Sequence, residues 1–463
     1  MSTERSAEAA AWALTAQLDP DRVLLPGPAQ DETLRIWNGA VDHRPALVVR
    51  CETPADVQAA VRAARAHDLP LSVRGGGHDW AGRALRPGGL VIDLSHLGHV
   101  TVDAEARVAT VAGGATSGEV IAAAAAHGLS AATGTVSAVG MAGLTLGGGY
   151  GPLNGKVGLA LDNLLGADVV LADGRLVSTD DTHEPELFWA LRGGGGNFGV
   201  VTSMRVRLHP IPTVLAGFIL FPWSQAADVL RSFADVQSGA PDELTVQCGV
   251  LSGPDGGPSL FLSPTWSGRP EAGEKAIDEL RQLGTPLMAG VVPRSYGAML
   301  GLFDAYVVNG HRYAIRTRPV AGLTPEVISA LITAGATRTS PLSLIALHHF
   351  HGAATRVPPD ATAFGIRRDH LTVEIVAAWE PRAGEDARHR GWTDEVSASL
   401  EPHALPGGYP NLLGPDDHEQ IAQAYGQNAA RLRTAKARFD PDGVFSATPL
   451  PVAAPGQARG HAR

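Results

Sequence analysis

Three glycine-dense loops, set between runs of strand-forming residues, constrain this chain more than any other feature. They are Arg74-Gly75-Gly76-Gly77-His78-Asp79, Gly147-Gly148-Gly149-Tyr150-Gly151, and Arg192 through Gly193, Gly194, Gly195, Gly196, Asn197 and Phe198 to Gly199. Glycine lacks a Cβ, so such runs bring main-chain amides close to a ligand, and successive amides form anion-binding concavities. A single loop of this kind reads more simply as a surface turn. Three of them, interleaved with strands, favour a cradle for a dinucleotide or a flavin.

Two familiar glycine motifs fail on context. Gly194, Gly196 and Gly199 satisfy G-x-G-x-x-G, but that fingerprint follows a strand and opens a helix. Here Pro185 to Leu191 has helical character and Val200 to Leu208 alternates like a strand, the reverse order. Gly155-Lys156 is followed by Val157 and lacks the first glycine of a P-loop at the required spacing. Neither a nicotinamide cofactor nor a nucleoside triphosphate is favoured.

The first half reads as strand, helix, strand: Ala46 to Arg50, a helix starting at Thr53-Pro54-Ala55-Asp56 and running over Val57 to Ala66, then Leu69 to Arg74. Strands follow at Leu90 to Leu94 and Val108 to Ala112, then an alanine-rich helix from Ser117 to His127. From Ala132 to Gly151 helix formers are almost lacking. Asp168 to Leu171 and Leu176 to Ser178 form a hairpin with Asp173-Gly174 at its turn.

Glycine density falls after Pro210-Ile211-Pro212, which marks a domain boundary. Beyond it, strands at Leu215 to Phe221, Leu244 to Val250, Leu260 to Trp266, Leu342 to Phe350 and Leu371 to Trp379 alternate with helices at Gln225 to Val236 and Ala272 to Leu283. This is an α+β pattern. A single amphipathic helix is expected over His418 to Arg438.

The net charge is −10, with no basic block, which disfavours nucleic acid and anionic membrane surfaces as partners. No run reaches the roughly 18 apolar residues of a membrane span. Cys51 and Cys248 are the only cysteines, so no disulfide framework is expected. The start of the chain lacks the apolar core of a signal peptide, and a cytoplasmic location is the expectation.

His78, directly after a glycine cradle, is a candidate catalyst or covalent attachment point. The remaining histidines read as structural. Of His348, His349 and His351, strand alternation puts only the last two on one face. No carboxylate completes a metal set there, and His183-Glu184 does not extend to H-E-x-x-H. No metal is expected.

Together, Arg74-Gly75-Gly76-Gly77-His78, the stretch Gly143-Leu144-Thr145-Leu146-Gly147-Gly148-Gly149, and Leu187 through Trp189 and Arg192 to Gly199 resemble the berberine-bridge-enzyme-like FAD-linked oxidases of the vanillyl-alcohol-oxidase superfamily. A C-terminal signature accompanies them: Tyr409-Pro410-Asn411, Tyr425-Gly426, Asn428, Arg431-Leu432, Lys436 and Asp440-Pro441. The resemblance spans about Ile36 to Phe445. It implies an α+β fold: a two-part PCMH-type FAD-binding domain, and a substrate domain whose large antiparallel sheet is covered by helices. Expected divisions are an N-terminal extension (1–40), the FAD-binding domain (41–212), the substrate domain (213–405), a C-terminal segment returning to the flavin side (406–450) and a flexible tail (451–463).

Residue by residue, His78 matches the histidine joined to the flavin 8α-methyl. The position of a second, cysteinyl link in many relatives is held by Val136, so a single covalent link to FAD is expected. Val139 matches the position that gates oxygen, and valine there resembles oxidases that form hydrogen peroxide from O2. The implied flavin contacts are Arg74, Gly75, Gly76, Gly77 and Asp79, then Thr135, Val139, Gly140, Gly143 and Leu144. Gly147, Gly148, Gly149, Gly199, Val200, Val201, Tyr409 and Asn411 complete the set. The family's usual Asn is replaced by Gly443, and the polar stretch after the last Phe by Ser446-Ala447-Thr448-Pro449.

Hydride transfer from a C–H bond is easier when an adjacent O–H or N–H gives up its proton, so a base is needed. Tyr409 ranks first by resemblance, Glu374 second and Tyr150 third. Alternation puts Thr372, Glu374 and Val376 on one strand face, and Leu371, Val373 and Ile375 on the other. The expected activity is oxidation of a CH–OH or CH–N centre of a small molecule, such as a secondary metabolite or glycoside. The alternatives are a hydroxynicotine-type amine oxidase, flavin-driven cyclisation or aromatisation, and a flavin-binding protein without turnover.

Overall fold

A computed structural model describes residues 3–451 except 383 and 447. The expected flexible tail lies, from residue 452 onward, outside the described residues. The first sheet has four strands in the order Val23–Leu24, Leu47–Arg50, Leu90–Asp93, Leu71–Arg74, the last three parallel. The crossover helix Pro54–Ala66 starts with a capping box. Thr53 accepts from Asp56 N–H, and the Asp56 carboxylate accepts from Thr53 N–H at 3.0 Å. Pro54 sits at the first turn, where a missing N–H costs nothing.

A second, six-stranded sheet is centred on Val200–His209, which pairs antiparallel with Val108–Ala112 on one side and Leu164–Val170 on the other. The Asp173-Gly174 hairpin forms as expected, closing onto Leu176–Thr179. The third sheet has nine strands, all antiparallel, drawn from Thr213–Ala216 through His370–Trp379. One of its faces, carrying Leu371, Val373 and Ile375, is buried under helices with Val246, Ile345 and Leu347 in the largest apolar core. Glu374 and Val376 lie on the opposite face, which is turned toward the glycine loops. The alternation read from the sequence holds.

Three local expectations are corrected. The glycine-rich stretch before Gly148 is helical over Met141–Gly147. Its Met141, Ala142 and Leu146 are packed into the core of the second sheet, and tertiary burial outweighs the poor helix propensity of glycine. The strand expected over Leu215 to Phe221 is two strands, Thr213–Ala216 and Ile219–Pro222, which pair with different partners. The helix expected over His418 to Arg438 is broken into His418–Gln423 and Ala429–Phe439. Gly426, at φ +47°, sits at the break, a backbone state glycine adopts without penalty. Strand Arg312–Val320 and helices Thr3–Thr15, Pro325–Ala336 and Asp386–Leu400 have no counterpart in the sequence reading. No helix among the described residues is long and apolar enough to cross a membrane.

Candidate active site

A cavity of about 380 Å³ lies between the glycine loops and the exposed face of the nine-stranded sheet. Its glycine wall is built by backbone touching backbone. A Cβ on Gly76 would lie 2.5 Å from Gly140 N and 2.8 Å from Ala138 O. The same is true in reverse, since a Cβ on Gly140 would meet Gly76 N at 2.5 Å. The loop after strand Leu71–Arg74 and the loop before helix Met141–Gly147 therefore fit only as glycine.

His78 stands at the rim of this wall. Its ring stacks on Trp37 with centroids 4.4 Å apart and planes 8° from parallel, and Trp37 stacks on Tyr313 at 4.0 Å. Burial holds the imidazole neutral, pushing its pKa down to about 4 against a smaller opposing pull from its own backbone and nearby carboxylates. His78 Nε2 is buried without a hydrogen-bond partner, as is Trp37 Nε1. A neutral imidazole keeps a lone pair on one ring nitrogen, and the His78 ring lines the cavity.

The opposite end is a cluster of hydroxyl, carboxyl and imidazole groups. Tyr409 O accepts from Gly149 N–H at 2.6 Å and from Asn411 Nδ2 at 3.2 Å. Tyr150 crosses Tyr409 edge-on at 4.7 Å and donates to Glu374 Oε2 at 3.4 Å. That same oxygen meets His348 Nε2 at 2.9 Å. Burial pushes the Tyr409 phenol up to about 12, despite its two N–H donors. Burial and the Glu374 charge push Tyr150 well above its usual 10. Both phenols are protonated at neutral pH.

Most residues expected at the site line this cavity. Gly75, Gly76, Gly77, His78 and Asp79 do so from the first loop, and Thr135, Val139, Gly140, Gly143 and Leu144 from the second segment. Gly199, Val200, Val201, Tyr409, Asn411, Tyr150 and Glu374 also face it, as does Val136. Asp79 is engaged by Arg83 at 2.6 Å.

Four expected residues sit elsewhere. Arg74 does not line the cavity; its guanidinium pairs with buried Asp93 at 3.1 Å. Gly147, Gly148 and Gly149 lie behind the wall, where they make room for Asn411, Tyr409 and Ala160. The sequence reading missed Trp37, Tyr313, Gln247 and His348, all of which face the cavity. His348 was findable, because alternation along Leu344–Phe350 places it with Leu344 and Ala346. Among the described residues no cluster of His, Cys, Asp or Glu could hold a metal.

The far wall is apolar and aromatic. Phe218 packs edge-on against Phe261 at 5.9 Å and Phe303 at 5.4 Å, with Tyr306 at 6.2 Å. A glycine-floored slot with unengaged ring nitrogens at one rim fits a flat, polar-edged ring system such as a flavin. Such a fold and site define a flavin-dependent oxidoreductase.

Comparison with known proteins agrees. Residues 45–180 match the FAD binding domain family, and residues 409–449 match the berberine and berberine-like family. The chain is 32% identical over 425 residues to the FAD-linked oxidoreductase aurO of Gibberella zeae, covering 89% of this chain and 82% of the relative. It is also 32% identical over 438 residues to (R)-6-hydroxynicotine oxidase of Paenarthrobacter nicotinovorans, covering 90% and 93%. The crystal structure of 6-hydroxy-D-nicotine oxidase from Arthrobacter nicotinovorans superposes with a TM-score of 0.86 at 31% identity, over 93% of this chain and 97% of that one. The chain belongs to the berberine-bridge-enzyme-like FAD-linked oxidoreductases and is an FAD-dependent oxidase.

Proposed function

We propose that the protein carries FAD on a single covalent link at His78 and oxidises a small, largely apolar molecule at a CH–OH or CH–N centre, passing the electrons to O2. Bound FAD supplies a ring that accepts a hydride. The unengaged, neutral His78 imidazole supports the attachment, and Val136, which offers no thiol, supports its being single. Gly75, Gly76, Gly77, Gly140 and Gly199 would floor the cofactor, with Thr135, Val139, Gly143, Leu144, Val200, Val201 and Asn411 beside it.

The protonated state of both phenols reorders the candidate bases. A phenol that holds its proton until about pH 12 cannot accept another at neutral pH. Glu374 is the better base, held between Tyr150 and His348 with Oε2 in reach of both. Tyr409, its oxygen fixed by two N–H donors, orients the substrate and donates to its reacting heteroatom. This geometry is the observation that carries the reading.

The aromatic far wall favours a flat or apolar body over a polyhydroxylated one, since sugar hydroxyls buried against Phe218, Phe261 and Phe303 would lose their hydrogen bonds. The kinship with a hydroxynicotine oxidase supports the amine alternative. A visible spectrum, acid precipitation and intact mass of the pellet test the attachment. Peroxide release from a panel of aromatic and aliphatic alcohols and amines tests the chemistry. Flavin that washes into the supernatant would overturn the His78 link, and a panel on which only sugars react would overturn the substrate class.

A further inference from the structure

Strand Leu244–Ser252 runs through the interior of the nine-stranded sheet. Val246, Cys248 and Val250 belong to the core under the helices, so alternation turns Gln247, Gly249 and Leu251 to the other face. Gln247 and Leu251 line the main cavity. Gln247 is half-buried, and its amide is divided between two surroundings. Oε1 is enclosed and has no hydrogen-bond partner. Nε2 is not enclosed in this way, and no described residue accepts its hydrogens.

The open end of this side chain is therefore a bare donor, since an amide NH2 offers hydrogens and no lone pair. The wall beyond it is apolar: Phe218, Leu251, Phe261 and Leu344 belong to one cluster. A wholly apolar ligand pressed against Gln247 would strip water from those hydrogens and return nothing. A ligand with a well-placed acceptor would pair them.

The sheet register says where that acceptor must be. Gly249 is opposite Ala346, and Ala346 is opposite Glu374. Gln247 stands two residues from Gly249 along its strand. Two strand spacings and two residues put the Gln247 and Glu374 Cα atoms roughly 12 Å apart. Both side chains line the cavity from the same sheet face, and each hydrogen bond to a ligand takes about 3 Å. What remains between them is roughly 6 Å, the reach of one aromatic ring from a benzylic heteroatom to a para substituent.

We propose that Gln247 is a specificity-determining residue, and that the substrate is an aromatic alcohol or amine carrying a hydrogen-bond acceptor on the ring edge opposite its reacting carbon. An ether, a carbonyl or a ring nitrogen meets that description. With the reacting O–H or N–H at Glu374, the acceptor takes the Nε2 hydrogen bond and the ring lies against the apolar wall. The inference rests on Glu374 marking the reacting end, and Gln247 touches the substrate away from it.

Two near-isosteric probes separate the acceptor from the shape. They are para-methoxybenzyl and para-ethylbenzyl compounds, each as the alcohol and as the amine, with an ether oxygen in one where the other has a methylene. Mixed anaerobically with the flavin-loaded enzyme, the methoxy compound of a pair should bind about tenfold more tightly, with Kd read from the perturbed flavin band. Equal Kd values in both pairs, or tighter binding of the ethyl compounds, overturn the proposal. Gln247→Leu should remove the methoxy preference. Gln247→Met, of similar length and without an N–H, should do the same even if the leucine variant does not fold. A preference that survives these substitutions also overturns the proposal, because a merely structural Gln247 would shift both Kd values alike and leave their ratio unchanged. If instead wild-type protein holds no flavin, if no probe perturbs the band, or if Glu374→Gln reduces flavin normally, the functional reading fails and this inference with it.

Discussion

The Tyr409 hydroxyl oxygen lies 2.6 Å from the amide nitrogen of Gly149 and accepts its hydrogen bond. Asn411 Nδ2 adds a second donor, leaving the Tyr409 O–H itself directed by what occupies the cavity. Removing that hydroxyl should therefore cost orientation, not the base. Tyr409→Phe is expected to lower the rate of flavin reduction about tenfold, with the flavin still attached. Stopped-flow reduction under nitrogen measures this, and a loss larger than that of a Glu374 variant would restore Tyr409 as the base.

Glu374→Gln keeps the shape of the side chain but removes its capacity to take a proton. For an alcohol substrate the loss should fall in the range of about 10²–10⁴ typical of a general base. An amine that binds already neutral should lose only a few-fold. Comparing one alcohol and one amine on the same variant separates the two chemistries.

His78→Ala should abolish the covalent mass increment of one FAD while leaving the glycine wall intact. Flavin should then wash out on acid precipitation, and the pellet should be colourless. A variant pellet that stays yellow with the FAD mass would place the link elsewhere.

Gly76→Ala introduces a Cβ 2.5 Å from the main chain of Gly140. Because backbone and not a flexible side chain blocks it, the loops must part, at a cost of about 1–3 kcal/mol. The expected result is a lower Tm together with weakened flavin binding, read by thermal melting and by the flavin-to-protein absorbance ratio.

Stability should fall on acidification below pH 6.5. Burial lowers His78, His209, His351 and His370 each to about 4 from 6.5. Between those values the unfolded chain binds more protons than the folded one, so stability rises with pH. It is complete above 6.5 and lost as pH falls toward 4. Each group contributes a slope of up to about 1.4 kcal/mol per pH unit. Urea titrations at pH 7, 6 and 5 should show a falling midpoint, and a flat profile would mean that these rings are not held neutral. In the flavinylated protein, His78 drops out of the set and the other three remain.

The glycine loops and His78 carry local signals, absent Cβ atoms and a histidine after a cradle, whereas Tyr409 and Glu374 were reached by family resemblance, with strand alternation adding only the face of Glu374. Trp37 and Tyr313 were not legible, since nothing near either residue says that their rings will stack across the interface beside His78. His348 was read as structural for want of a metal set; its partner, Glu374, is 26 residues away, and the pairing of Leu344–Phe350 with His370–Trp379 brings them together. The helix Met141–Gly147 was hidden by its glycines, whose local preference was outvoted by the core around Leu146. Arg74 and Gly147 to Gly149 were placed on the cofactor by motif. In the fold Arg74 pairs with Asp93, and Gly147, Gly148 and Gly149 pack against Asn411, Tyr409 and Ala160.

Tyr409 reaches Gly149 from 260 residues further along the chain. A ribosome delivers the glycine wall and His78 long before it delivers the residue that completes the reacting end. The same late segment supplies Leu413, Tyr425 and Leu432 to the core of the second sheet, so the wall and the reacting end are completed together, at the end of synthesis.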